Sequence, residues 1–272
     1  MSNGRFSNDE LASMNPQEFR NIVRRGGFTD TTAFVCSGYA QANLVIIPGD
    51  MAFDFLLFCQ RNPRPCFVLD VSEPGDPHPK QMAPSADLRT DVPKYRVYKD
   101  GKIVDEPTSI VDYWRDDLVA FLIACSFTFD QALRFANVKY RIAGAYTTNI
   151  ECMPAGRFHS HMIVSCRIAK DSYQAVRMSQ ISSRYPAAHG APIHIGDPAG
   201  IGIRDLYHPD SWFPEFLDRS VPPLEPGEVP MFWGCGITPQ TAAIESKAPY
   251  MITHWPGHMF VTDKRAGELA ML

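Results

Sequence analysis

The sequence predicts an α/β protein. Three observations carry that reading. Short apolar runs of β character alternate with segments of helical periodicity along the chain. Hydrophobic residues fill 45% of the 272 positions, enough for a packed core. The 23 prolines stiffen many turns and argue against a helical bundle.

The elements follow in order. Ser7-Asn8-Asp9-Glu10 is a capping box, with Ser7 as N-cap and Glu10 three residues on. Leu11, Met14, Ile22 and Val23 give one helical face, which Gly26-Gly27 ends. Leu44–Ile47 reads as a strand. Asp50–Gln60 is a mostly apolar helix closed by Asn62-Pro63, and Cys66–Val71 is a buried strand. Residues 72–93, rich in Pro, Asp and Ser, form a long loop of a kind that is often functional or mobile. Tyr95–Tyr98 and Ile103-Val104 flank Lys99-Asp100-Gly101 as a hairpin. Residues 112–136 are the strongest helical segment, with a break near Ser126. Met162–Ile168 is a strand and Asp171–Ser183 an amphipathic helix. Ile193–Ile195 is a short strand entering Gly196-Asp197-Pro198, and residues 207–228 form a second Pro-rich loop. Val229–Trp233 is a strand that runs into a glycine turn and a helix. No internal repeat or low-complexity tract is visible. The stretch 110–187 reads helix–strand–helix, the make-up of a smaller α+β unit set into the main sheet.

Composition excludes several functions. Net charge is −4, with no basic block and no basic–aromatic stripe, which disfavours nucleic acid. The longest apolar candidate, Leu118–Phe127, is too short to span a membrane, and the N-terminus lacks the apolar core of a secretion signal. Seven cysteines without CxxC pairs sit mostly in apolar runs, as reduced thiols of a cytoplasmic protein do.

Four clusters could carry chemistry. The richest lies in residues 228–263. An apolar run ends in Gly234-Cys235-Gly236-Ile237-Thr238, and Pro239 suits the first turn of a helix. Glycines around Cys235 allow a tight turn, and the helix N-terminus offers free N–H groups to an anion. The turn is then a nucleophile or anion site with Cys235, Gly236 and Thr238 at its mouth, where a helix N-terminus lowers a thiol's pKa, or a strand–helix turn with a buried thiol. His254, His258 and Asp263 follow closely. Pro256-Gly257 separates the histidines, which rules out a shared helical metal face; proton transfer suits them better. In the third cluster His194 and Asp197 sit at a strand end, where ligands bind in open α/β sheets; the plainer reading makes Asp197 a cap and His194 a core residue. In the fourth, Arg96 supplies a cation for a carboxylate or lies on a solvated hairpin edge. Gly200-Ile201-Gly202 lacks the pattern of a dinucleotide site.

Eight stretches resemble the D-glutamate cyclase family: QANLVIIP, FDFLLFCQRNPRPCFVLDV, TDVPKYRVYKDGK, DLVAFLIACSFTFDQAL, PAGRF, GAPIHIGDPAGIGIRDL, EVPMFWGCGITPQ and ITHWPGHMFVTD. They cover nearly the whole chain in order. The resemblance implies an α/β main domain with a mixed sheet (1–109 plus 188–272) and an inserted smaller α+β two-layer domain (110–187). It also implies conversion of D-glutamate to 5-oxo-D-proline with loss of water. Such chemistry needs proton transfer and donors for a tetrahedral oxyanion. His254 or His258 is then expected as acid/base and Asp197 as the partner of the ammonium or of a histidine. The Gly234–Thr238 turn would hold a carboxylate or the oxyanion, and Arg96 a second carboxylate. His194 and Asp263 complete the expected substrate-binding set. No cofactor and no metal are expected. The expected ligand is a small amino acid or carboxylate, without nucleic acid or membrane, and a homo-oligomer is open. The chain departs from the family pattern at Thr147, where an arginine usually follows the tyrosine, and at Ser211-Trp212. Rival readings are a hydro-lyase for another small acid and a non-catalytic protein that binds 5-oxoproline or a dicarboxylate.

Overall fold

The computed structural model describes residues 6–33, 35–210 and 220–271; Ser211 and Trp212 fall outside them. The expected capping box opens α1 (Asn8–Ser13), with the Ser7 hydroxyl accepting the Glu10 N–H at 3.3 Å and the Glu10 carboxylate accepting the Ser7 N–H at 2.7 Å. The single helical face belongs to two helices. Pro16 has no N–H to continue the first, so Asn15 caps a second, α2 (Pro16–Arg24). The chain continues through β1 (Tyr39–Pro48), α3 (Gly49–Arg61), β2 (Val68–Val71), β3 (Tyr95–Lys99), β4 (Lys102–Asp105) and β5 (Leu118–Ala124). Then come α4 (Phe127–Phe135), β6 (Tyr140–Glu151), β7 (His161–Ala169), α5 (Ser172–Ser183) and β8 (His194–Ile195). The last elements are β9 (Val229–Gly234), α6 (Thr238–Glu245), β10 (Tyr250–His254) and β11 (Phe260–Arg265).

The fold is α/β, built on two sheets. The larger has seven strands in the order β2-β5-β1-β10-β3-β4, with β11 also on β1; the smaller runs β6-β7-β9-β8. Every strand pairing is antiparallel, so neither sheet is mixed. Residues 112–136, read as helix with a break near Ser126, are helical beyond that break as α4, but before it they contain β5, which pairs with β1 along Ala42–Pro48 and with β2 on its other side. The reason is burial on both faces. Val119, Phe121 and Ile123 pack with Phe55 and Phe58 of α3, while Leu118, Ala120 and Leu122 pack with Leu44, Ile46 and Tyr95 on the opposite face. A strand covered on both faces shows no alternation. Residues 72–93 supply part of that cover: Met82, Ala83, Ala86, Leu88 and Val92 are buried against the sheet.

The smaller sheet packs one face on α4 and α5 through Phe129, Leu133, Met178 and Trp233. Ile201, Ile203, Leu206 and Val221 cover its other face. Its strands lie between residues 140 and 234, so β8 and β9 belong to it while β5 does not. The chain therefore crosses between the sheets within 125–139 and 235–249, rather than at the boundaries 109/110 and 187/188.

Each crossing is a strand, a cysteine turn and a helix. Cys125-Ser126-Phe127-Thr128 leads from β5 into α4, and Cys235-Gly236-Ile237-Thr238 leads from β9 into α6. The two turns share their hydrogen bonds. The threonine N–H donates to the cysteine carbonyl, at 3.2 Å in the first and 3.0 Å in the second. Neither helix has a side-chain cap. This short repeat, not evident along the sequence, places two related turns between the sheets.

Candidate active site

One edge of β1 is shared. β11 pairs with it at Tyr39, Gln41 and Ala42, and β10 at Val45 and Ile46. Pro256-Gly257 lies in the turn between β10 and β11, and Asn43 and Leu44 are left without a strand partner on that edge. Beside this gap both cysteine turns meet, around an enclosed cavity of about 140 Å³. That is below the ~300–1,000 Å³ of sites for drug-sized ligands and suits a small metabolite. Asn43 of β1, Arg96 of β3, Cys125 and Ser126 of one turn, Cys235 and Gly236 of the other, Gln240 of α6 and His254 at the end of β10 line it.

His254 is buried, and its protonation is fixed by a backbone donor. The Leu44 N–H, lacking a strand carbonyl, donates to Nδ1 at 3.1 Å, and Gln240 Nε2 lies 3.0 Å from the same atom. The Leu44 carbonyl oxygen lies farther from Nδ1, at 3.4 Å; a backbone N–H can only donate, so the shorter contact favours a neutral ring with its proton on Nε2. Nε2 makes no hydrogen bond among the described residues, and His254 lines the cavity. Burial pulls the imidazole down to about 4, so the ring is neutral near pH 7. His254 thus presents a neutral N–H donor.

Arg96 pairs with Thr253 across β3 and β10. Its Nε donates to Glu106 at 2.7 Å, and its guanidinium lies 5.1 Å from the Trp255 ring centroid. Lys94 lies 4.8 Å from the same ring and 3.6 Å from Glu106. Trp255 Nε1 donates to Glu106 at 3.0 Å. Two cations share one carboxylate here, which leaves a net positive mouth for an anion. Arg96 is the main cause that holds the Glu106 carboxyl below its ordinary value.

The second turn is built by close approach. A Cβ on Gly236 would sit 2.5 Å from the Ala124 carbonyl oxygen and collide with Asn43 Nδ2, so only glycine fits. Neither the Gly236 N–H nor the Ser126 N–H has an acceptor among the described residues. Cys235 is buried, and burial raises its thiol. Buried Arg167 supports the floor, donating to Ser126 at 2.8 Å, to Ser165 at 2.6 Å and to Asp130.

The structure thus brings together Arg96, Cys235, Gly236 and His254, and it places the other expected residues elsewhere. His258 is buried beside Trp255, with Nδ1 2.9 Å from the Pro256 carbonyl and Nε2 3.3 Å from that of Thr29. It ties down the turn and does not line the cavity. Thr238 stands behind the turn, where its hydroxyl oxygen accepts the Ile163 N–H at 3.0 Å. His194 lies on β8, at the edge of the smaller sheet, with Nε2 2.6 Å from the Asp197 carbonyl. Asp197 caps the following 3₁₀ turn by accepting the Ala199 N–H at 3.0 Å. Asp263 pairs with Arg20 of α2 at 2.7 Å. Thr147 is on β6, its N–H bound to Asp210 at 2.7 Å, and is not in the lining either. Asn43, Cys125, Ser126 and Gln240 join the site without having been expected. Asn43 did leave a signal, as an amide inside an otherwise apolar strand. No cluster of three metal-ligating side chains occurs among the described residues, and no described helix is long and apolar enough to cross a membrane.

The two antiparallel sheets with their helices define an α/β protein, with a cavity at the two cysteine turns that Arg96 lines. The chain belongs to the D-glutamate cyclase family: the family model for D-glutamate cyclase matches residues 119–263. Similar proteins include "Putative hydro-lyase YcsI" of Bacillus subtilis (strain 168), 51% identical over 265 residues, spanning 95% of this chain and all of that one. "Putative hydro-lyase GK2103" of Geobacillus kaustophilus is 49% identical over 267 residues, 96% of this chain and 98% of its own. "Putative hydro-lyase Teth514_1597" of a Thermoanaerobacter species is 50% identical over 264 residues, 95% and 97%.

Proposed function

We propose that the chain is a carbon–oxygen lyase of D-amino acid metabolism that converts D-glutamate to 5-oxo-D-proline and water in this cavity. The observation that carries the reading is His254, its Nε2 unpaired among the described residues, in one cavity with Arg96 and the unpaired Gly236 N–H. The D configuration rests on the family description. Arg96 takes the α-carboxylate in a charge-assisted pair. The γ-carboxylate lies against the Gly236 and Ser126 N–H groups and His254 Nε2. Folding the flexible chain between these anchors removes much of the entropic barrier to ring closure. The amine then attacks the γ-carbon, and the tetrahedral oxyanion keeps those donors. Two protons leave with the departing oxygen, and the ammonium gives up two, so the reaction needs no net proton from the protein. His254 acts as a neutral donor to the oxyanion rather than as the base.

Proton NMR of the purified protein with D-glutamate, L-glutamate and 5-oxo-D-proline tests this. Stereoselective interconversion of D-glutamate and 5-oxo-D-proline is expected, reduced ~100-fold or more by His254→Gln. Turnover indifferent to both His254→Gln and Arg96→Gln would remove the cavity from the reaction.

A further inference from the structure

The mechanism above leaves two groups unused. Cys125 and Cys235 occupy equivalent places in the two related turns, at the starts of α4 and α6, and line the same cavity. The backbone N–H groups of Phe127 and Ile237, each two positions on, act to lower the respective thiols. They belong to different packing clusters, Cys125 with Phe127 and Met259, Cys235 with Ala145 and Ile163. Among the described residues no carboxylate side chain lines the cavity. His254 lines the same space.

We propose that Cys125 and Cys235 form a two-thiol proton-transfer pair acting on the α-carbon of a small amino carboxylate, so that the site inverts or exchanges that stereocentre. The ligand class rests on the glutamate and 5-oxoproline reading above. Before the cycle one thiol loses its proton to water. That thiolate takes the α-proton: the C–H bond breaks and an S–H bond forms. The electron pair moves into the carboxylate, whose oxygens gain negative charge as an enediolate. Arg96, which takes the α-carboxylate in the reading above and lines the same cavity, is placed to hold that charge. The opposite thiol then gives its proton to the other face of the α-carbon and is left as the thiolate. One thiol and one thiolate have exchanged roles, and no oxidant or reductant is consumed. Facing the thiols, besides each other, are Arg167 of β7, which lowers both, and Asp130 of α4, which raises Cys125. Burial outweighs these and takes Cys125 up to about 12. The empty site therefore holds two thiols, and exchange quickens as pH rises.

The full-length protein is incubated in D₂O with D-glutamate, L-glutamate, 5-oxo-D-proline and 5-oxo-L-proline separately. The α-proton signal is followed by NMR and the enantiomers are resolved by chiral chromatography. At least one compound is expected to yield its mirror form carrying deuterium at the α-carbon, while recovered starting enantiomer keeps protium at early times. Cys125→Ser and Cys235→Ser are each expected to lower inversion ~100-fold or more. Absence of α-deuteration in all four compounds overturns the thiol pair, even if D-glutamate cyclises. Deuterium entering both enantiomers equally from the start means a single base and overturns it too, without reliance on a variant. Inversion undiminished in both serine variants does the same. Inversion without any cyclisation leaves the thiol pair standing and removes the cyclase reading.

Discussion

His254 owes its chemistry to one backbone hydrogen. The Leu44 N–H fixes Nε2 as the proton-bearing atom, and burial keeps the ring neutral. Stability follows from the same facts. Folded His254 titrates near 4, whereas an unfolded histidine titrates near its ordinary 6.5. Between those values the unfolded chain binds the extra proton, so stability is intact above about pH 6.5 and is lost as pH falls toward 4. The loss is on the order of 3 kcal/mol. His189, also buried and pulled down to about 4, acts in the same sense. Melting temperature measured from pH 7.5 to 4 should fall across that window and fall less in His254→Gln. Gly236→Ala should cost ~1–3 kcal/mol through overpacking and abolish ligand binding, read by melting and by titration with 5-oxo-D-proline. Residues such as Gly236, Arg96 and His254 were legible because glycine turns and charged groups at strand ends stand out. Gln240 was not: a glutamine inside a helix gives no sign that it faces a histidine on a distant strand.

Strand β5 shows where element assignment fails. Leu-Val-Ala-Phe-Leu-Ile-Ala is apolar at every position, so periodicity cannot separate a buried strand from a buried helix. That misreading also hid the first cysteine turn, since the break near Ser126 then lay between two helical stretches and not between a strand and a helix as at Cys235. The capping box of α1, the Tyr95 hairpin and the Asp171-capped α5 were legible because their signals are local. α4 is anchored by the Arg167–Asp130 pair, in which both side chains are buried. Asp130→Ala would leave a buried guanidinium without its counter-charge, an effect of ~3–5 kcal/mol. Urea denaturation should show that loss; a change under ~1 kcal/mol would mean that Ser126 and Ser165 suffice to hold Arg167.

At the scale of the whole molecule, the double crossing makes the smaller sheet depend on the larger. α4 and α6 leave and re-enter the large sheet beside the cavity, and Phe158 of the smaller unit packs on Phe55 at 5.2 Å between ring centroids. The two sheets should therefore unfold together. Far-UV ellipticity and tryptophan fluorescence are expected to give coincident denaturation curves, whereas two separated transitions would show the sheets to be independent. The alternation of strands and helices announced an α/β protein, but which strand joins which sheet depends on contacts far apart in sequence and left no local mark. The pairing of β1 with β11 has a mechanical consequence. Tyr39, where the chain enters β1, sits opposite Arg265, where it leaves β11. A pull on the C-terminal segment against β1 would load these rungs one at a time, as a zipper, rather than all at once in shear. The C-terminal end is then the compliant handle of the molecule, and a motor that threads proteins from that end would meet its least resistance there.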